Sequence, residues 1–253
     1  MKFIKIEDYL SDSHFKIVTL NRPEVKNAFN PEMIAEITSA FKSFNSDKKL
    51  KVVILKGEGS AFCAGADLNW MKEMAAYSYE ENILDSEKLW EMFDAVMSCE
   101  VPVVGIAHGA VYGGALGLLA CCDSVYAAVQ TKFCFSEVKL GLAPAVISSF
   151  VLRKISDSFV RPLMLSAAVF NTEKAISIGL AHESFNGEAP LQEITKTYAT
   201  NGVEAMRETK KLLNAISNGA SQSEHLSLTT QVISERRVSQ EAQGLLKKFL
   251  SKG

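Results

Sequence analysis

The chain has no apolar run approaching the roughly 18 residues a membrane span requires. It also has no excess of either charge. Its 253 residues carry 27 basic and 29 acidic side chains, a net charge of −2, with the two signs mixed along the length. A general nucleic-acid binder would need a basic footprint, and there is none. Five cysteines stand at 63, 99, 121, 122 and 134 without a Cys-x-x-Cys pair. That spacing argues against a disulfide framework or a zinc site, and for reduced, mostly buried thiols in a cytoplasmic setting. The residues from Met1 to Asp8 alternate like a strand and lack the apolar core of a signal peptide. Leu250-Ser251-Lys252-Gly253 is not a peroxisomal tripeptide. Low-complexity tracts and linkers are missing too.

What is present is the composition of a soluble globular protein, 47% hydrophobic and 22% charged, long enough for one large domain. Phe15-Lys16-Ile17-Val18-Thr19-Leu20 reads as a strand ending at the turn Asn21-Arg22-Pro23-Glu24. A helix follows, with Asn30 as cap and Pro31 at its first position. Its apolar residues Ile34, Ile37, Phe41 and Phe44 recur at helical spacing. Val52-Val53-Ile54-Leu55 reads as a buried strand. Residues 80–98 read as a helix with Ile83, Leu84, Trp90, Phe93 and Val96 on its apolar side. Strands are expected at 102–107, 124–128 and 132–135, and helices at 114–121 and 145–155. The recurrence of strand, helix and strand predicts an α/β core of stacked units over residues 1–190. Residues 191–253 contain no good strand, and 202–215 and 226–250 are helical patterns.

Two glycine-containing turns follow apolar strands about fifty residues apart. They are Phe62-Cys63-Ala64-Gly65-Ala66-Asp67-Leu68 and His108-Gly109-Ala110-Val111-Tyr112-Gly113-Gly114. Each can aim a backbone N–H at one point in space, and two such donors make an oxyanion hole. Chemistry through an enolate or a tetrahedral oxyanion follows from that pairing. Tight turns alone would also explain either glycine cluster taken singly.

Four segments in this order resemble the crotonase family, the enoyl-CoA hydratase/isomerase superfamily. They are Arg22-Pro23 to Asn27-Ala28, the residues from Ala64 to Leu68, the Gly113-Gly114 turn leading to Cys122-Asp123, and Phe135-Ser136-Glu137-Val138-Lys139-Leu140-Gly141. The resemblance implies a crotonase-type spiral of ββα turns with a C-terminal helical trimerisation region, and trimers or dimers of trimers. It also implies an acyl-CoA substrate, with coenzyme A as part of that substrate, no separate cofactor and no metal. By motif position the oxyanion donors are Ala66 and Gly114. Gly114 opens a helix, whose N-terminal dipole favours negative charge. Glu137 matches one of two catalytic glutamates of the hydratases. The CoA-binding positions are Lys26, Asn27, Ala28, Ala64, Ala66, Asp67, Leu68, Asn69 and Gly114. Phe249 and Lys252 match an aromatic and a lysine given to a neighbour's CoA site. Asp67 also reads as a turn-forming Asx residue, His108 as a hydrogen-bonded structural histidine, and Cys121-Cys122 as inert core.

One position departs from the family pattern. The second hydratase glutamate belongs in the helix after Gly114, and the matching residue is Gly117. No acid occurs from Gly113 to Ala120. Glu137 would then either act alone on a water, or shuttle one proton between two carbons as the single-glutamate isomerases do. The segment Leu140-Gly141-Leu142-Ala143-Pro144-Ala145-Val146-Ile147-Ser148 resembles a hydratase subgroup that includes methylglutaconyl-CoA and isohexenylglutaconyl-CoA hydratases, whose members carry Gly at this place. That favours hydration. A glutaconyl substrate would want a cation for its distal carboxylate, and Lys139 and Arg153 are near in sequence. Isomerisation and a non-catalytic acyl-CoA- or RNA-binding role remain the alternatives.

Overall fold

A computed structural model describes residues 1–10, 12–219 and 221–251. The chain starts with an antiparallel pair, β1 (Ile4–Tyr9) and β2 (Asp12–Leu20), in which Ile4 faces Leu20. Next comes α1 (Pro31–Phe44). The Asn30 side chain accepts the Met33 N–H at 3.0 Å, and Pro31 occupies the position whose N–H would be unpaired anyway. β3 (Val52–Gly57) leads into α2 (Leu68–Met74) and α3 (Tyr79–Met97), then β4 (Val103–Ala107) and β5 (Ala110–Tyr112). α4 (Gly114–Ala120), β6 (Ser124–Ala128) and β7 (Lys132–Cys134) follow. α5 (Ala145–Lys154), α6 (Asp157–Ser166), β8 (Phe170–Asn171), α7 (Thr172–Ser177) and β9 (Glu183–Phe185) complete the α/β part. Four helices close the chain: α8 (Leu191–Ala199), α9 (Val203–Ser217), α10 (Gln222–Val238) and α11 (Gln240–Leu250).

The strands form two sheets. The larger has the order β1-β2-β3-β4-β6-β9, parallel throughout except for the first pair. The smaller has the order β5-β7-β8. The unbroken run Val52-Val53-Ile54-Leu55 is apolar at every position because the larger sheet is covered on both faces. Val53 and Leu55 enter the main core with α1, α3 and α4, whereas Val52 and Ile54 pack on the other side with Phe15, Ile106 and Ile194 of α8. The chain passes from one sheet to the other at Gly109. Its φ is +59°, and a Cβ there would collide with the Ser60 carbonyl oxygen. Only glycine fits this crossing.

The sequence pattern does not announce α2. It is short, and Trp70 is its single buried residue. Expectation and structure also differ in α3. Phe93 and Val96 are buried as expected, but Ile83, Leu84 and Trp90 are exposed. The C-terminal half of α3 carries the core residues Met92, Phe93, Ala95 and Val96, and its N-terminal half leaves its apolar side uncovered. The single helical stretch expected at 226–250 is two helices, because Ser239 is extended and caps the second by accepting the Ala242 N–H.

Candidate active site

Three short stretches meet at one edge of the smaller sheet. Cys63 forms a parallel bridge with Val111 of β5, and Val111 pairs in parallel with Phe133 of β7. Cys63, Val111 and Phe133 therefore form one row across three parallel segments. Ala66 lies three residues beyond that row, Gly114 three beyond and Glu137 four beyond. Parallel pairing in one register carries the three to the same end of the sheet.

The Ala66 N–H is oriented by a second parallel bridge, Phe29 with Ala66. Phe29 donates its N–H to the Gly65 carbonyl at 2.7 Å and accepts the Asp67 N–H at 2.8 Å. The bridge leaves the N–H of Ala66 itself pointing away from Phe29, and among the described residues it has no acceptor. Gly114 is the first residue of α4, where helical N–H groups have no intrahelical partner. Its neighbour Gly113 has φ +55° and donates to the Cys134 carbonyl at 2.9 Å. Gly65 (φ +96°) lies against β5, since a Cβ there would come within 3.1 Å of the Tyr112 carbonyl oxygen. The two glycine turns are thus packed on each other.

Glu137 opens a short 3-10 turn after β7. Its carboxylate rests over Gly113: an added Cβ there would meet Glu137 Oε1 at 3.4 Å and Ser136 Oγ at 3.5 Å. Glu137 Oε2 is buried with no hydrogen-bond partner among the described residues. Burial pushes the carboxyl above its ordinary range, partly offset by a hydrogen bond from its own main chain. A half-buried carboxylate with one buried oxygen lacking a partner among the described residues, and raised in pKa, is suited to taking and returning a proton near neutral pH.

Gly117 has no room for a side chain. A Cβ there would stand 2.5 Å from Ile147 Cγ2, 2.9 Å from Ile147 Cβ and 3.1 Å from Phe93 Cζ. Phe93 packs on Phe150 at 5.4 Å, and Trp90 on Phe150 at 5.8 Å. The space that a second glutamate would need is filled by Ile147 and an aromatic cluster. Neither Ile147 nor Phe93 carries a sequence signal for this role, since packing between distant elements decides it.

The other expected residues divide by what their atoms do. Lys26 and Asn27 both adopt left-handed backbone, φ +53° and +55°. The Lys26 carbonyl accepts the Ala64 N–H at 2.9 Å, which ties the first loop to the first glycine turn. Asn27 is fully buried and its side chain is fully used: Oδ1 accepts the Arg22 N–H at 2.8 Å, and Nδ2 donates to the Glu58 and Ala61 carbonyls, each at 2.8 Å. Ala28 is buried beside it. Asp67 is the N-cap of α2, accepting from the Asn69 and Trp70 N–H groups. Leu68 and Asn69 form the exposed first turn of that helix. Phe249 is exposed on α11, and Lys252 lies outside the described residues. His108 Nε2 is 3.0 Å from the Gly59 carbonyl. Cys121 and Cys122 are buried, and burial pushes the Cys122 thiol up to about 12. Lys139 shares the 3-10 turn of Glu137. Arg153 sits at the last turn of α5 beside Lys154, which bonds the Cys122 carbonyl at the opposite end of α4 from Gly114.

The match to the enoyl-CoA hydratase/isomerase family model runs over residues 12–253. The chain belongs to this family. Among relatives, the crotonyl-CoA hydratase of Syntrophomonas wolfei subsp. wolfei is 31% identical over 182 residues, 71% of this chain and 69% of that protein. An enoyl-CoA hydratase of Alternaria alternata is 31% identical over 179 residues, 71% of this chain but only 58% of that longer protein. Among solved structures, Pseudomonas aeruginosa AtuE superposes with a TM-score of 0.94 at 27% identity, covering 99% of this chain and 97% of that one. The mixed α/β architecture with a helical C-terminal region is the crotonase fold. Among the described residues no helix is long and apolar enough to cross a membrane.

Proposed function

We propose that this hydratase/isomerase family member adds water across the 2,3 double bond of an enoyl-CoA thioester, with Glu137 as its single acid–base group. The observation that carries the proposal is the Glu137 carboxylate over Gly113, the residue before Gly114 at the start of α4, with its buried Oε2 lacking a partner among the described residues. In this reading the thioester oxygen accepts from the Ala66 and Gly114 N–H groups. Glu137 takes a proton from water as the hydroxyl adds to C3. The electron pair moves onto the thioester oxygen as an enolate, and Glu137 then returns its proton to C2. Each oxyanion donor would supply roughly 3–4 kcal/mol of barrier lowering. The CoA moiety would lie along the main chain of Lys26, Asn27, Ala28, Ala64 and residues 66–69. No separate cofactor enters the reaction.

The filled space at Gly117 supports a second reading. A lone carboxylate suffices to move a proton between C2 and C4, so 3-to-2 enoyl-CoA isomerisation is the alternative. Hydratase-named relatives at about 31% identity favour hydration. A branched or glutaconyl-type acyl group is part of the proposal, with Lys139 as the cation on the Glu137 turn. We also propose a homotrimer or dimer of trimers, supported by the exposed apolar residues of the helical region, and a reducing, cytoplasmic setting, supported by five buried free cysteines.

Following the enoyl-thioester absorbance with 2-enoyl-CoA and 3-enoyl-CoA substrates separates the two reactions. Hydration predicts a falling signal with the 2-enoyl panel, abolished in Glu137→Gln. A rising signal confined to 3-enoyl substrates would establish isomerisation instead.

A further inference from the structure

The sequence singles out Arg22-Pro23 as part of a motif and gives Arg22 no role. In the structure its guanidinium is mostly buried and joins two segments. Arg22 Nη2 lies 2.7 Å from Asp67 Oδ2, in an ion pair whose side chains are 13% and 7% exposed. Arg22 Nη1 donates to the Ala28 carbonyl. Ala28 precedes Phe29, and Asp67 follows Ala66. Phe29 and Ala66 are the two members of the parallel bridge that aims the Ala66 N–H. One guanidinium therefore fastens both segments of that bridge. Its base is fixed in turn, because the Arg22 N–H and carbonyl both bond Asn27. Burial alone would raise the Asp67 carboxyl. The Arg22 guanidinium and the N–H groups of Asn69 and Trp70 outweigh it and hold the group below the usual carboxylate range.

We infer that Arg22 and Asp67 are positioning residues for the reaction: their ion pair sets where the Ala66 N–H points, and so governs transition-state stabilisation more than substrate affinity. The inference rests on the proposed oxyanion role of Ala66. A buried ion pair is a costly way to gain stability alone, since well-packed apolar or neutral replacements of both partners are often as stable. It does supply a rigid, directional link, and preorganised donors need one.

The deciding variant is the double Arg22→Met/Asp67→Asn. It leaves no unpaired buried charge, and the introduced asparagine keeps the capping oxygen for α2. Steady-state kinetics on the best enoyl-CoA substrate, thermal unfolding, and the near-ultraviolet absorbance of bound acetoacetyl-CoA enolate are read together. The expected result is a thermal midpoint within a few degrees of the parent and a KM within about threefold. kcat falls at least about tenfold, since losing one oxyanion donor outright costs about 10²–10³, and the enolate band weakens. A folded double variant with unchanged kcat and an undiminished enolate band would overturn the inference while leaving the active-site proposal standing. If the double variant fails to fold, Arg22→Lys, which keeps a cation for Asp67 but lacks the fork that also reaches the Ala28 carbonyl, is held to the same criterion. A parent protein that neither turns over enoyl-CoA nor binds acetoacetyl-CoA as its enolate would overturn the active-site proposal and this inference together.

Discussion

Glu137 combines two properties at the scale of one residue. Its burial suits it to acid–base work, and the same burial makes its ionised form a liability. Because the folded state raises its pKa, the folded protein binds that proton more tightly than the unfolded chain does. Its contribution to stability is greatest while protonated and declines as pH rises from the unfolded value through the folded one. At neutral pH the ionised carboxylate is a net cost, with one oxygen unpartnered. Glu137→Gln should therefore lose nearly all turnover while its thermal midpoint at pH 7 stays level or rises, as measured by thermal unfolding. In the parent enzyme, kcat/KM should climb with pH through an ionisation above the ordinary carboxylate range, the base being active only when deprotonated. A midpoint near that of a free glutamate would contradict the effect of burial on Glu137. Glu137 was legible in its motif as a candidate. Its state was not, because burial comes from β7, Gly113 and the 3-10 turn together.

At the scale of elements, α4 and α5 decide what chemistry the site can hold. Position 117 takes no side chain because Ile147 of α5 and Phe93 of α3 occupy the place. Installing the second carboxylate by Gly117→Glu should therefore overpack the core, at about 1–3 kcal/mol, and lower the thermal midpoint by several degrees. Adding Ile147→Ala should recover part of that loss by opening the volume the new side chain needs. Thermal unfolding of both variants checks the pair, and a Gly117→Glu protein as stable as the parent would show the space to be open. The sequence made the missing acid plain. It could not identify what fills the gap, since residues 93, 117 and 147 converge only through the packing of three helices.

For the whole molecule, the helical region is joined to the α/β core by buried cations rather than by an apolar seam alone. Arg207 of α9 donates to the Asn45, Asp47 and Leu50 carbonyls and pairs with Glu100 at 3.3 Å. Lys210, one turn on, reaches Asp123 at 2.6 Å and the Val101 carbonyl at 3.2 Å. Both are over nine-tenths buried. Beyond α9 the apolar residues Leu226, Ile233, Leu245, Leu246 and Phe249 face outward, and a chain that leaves these uncovered is suited to association. Light scattering should give a mass of three or six chains. Leu246→Lys with Phe249→Lys should reduce it, and a monomeric parent at micromolar concentration would exclude the trimer.

The sequence by itself determined the α/β class, the strands β3 and β4 that lead into the glycine turns, and Ala66, Gly114 and Glu137 as candidates, but not α2 or β5. These are local matters: apolar runs, a cap at Asn30, glycines where the backbone must turn left-handed or approach closely. Only the tertiary structure decided which of those residues share an end of one sheet, because parallel pairing joins segments with no local bond between them. It also decided that Glu137 Oε2 is buried, that the space beside Gly117 is filled from α5, and that a guanidinium closes the bridge behind Ala66. Burial and ion pairing are properties of the neighbours brought together by folding, and those neighbours lie tens of residues away along the chain.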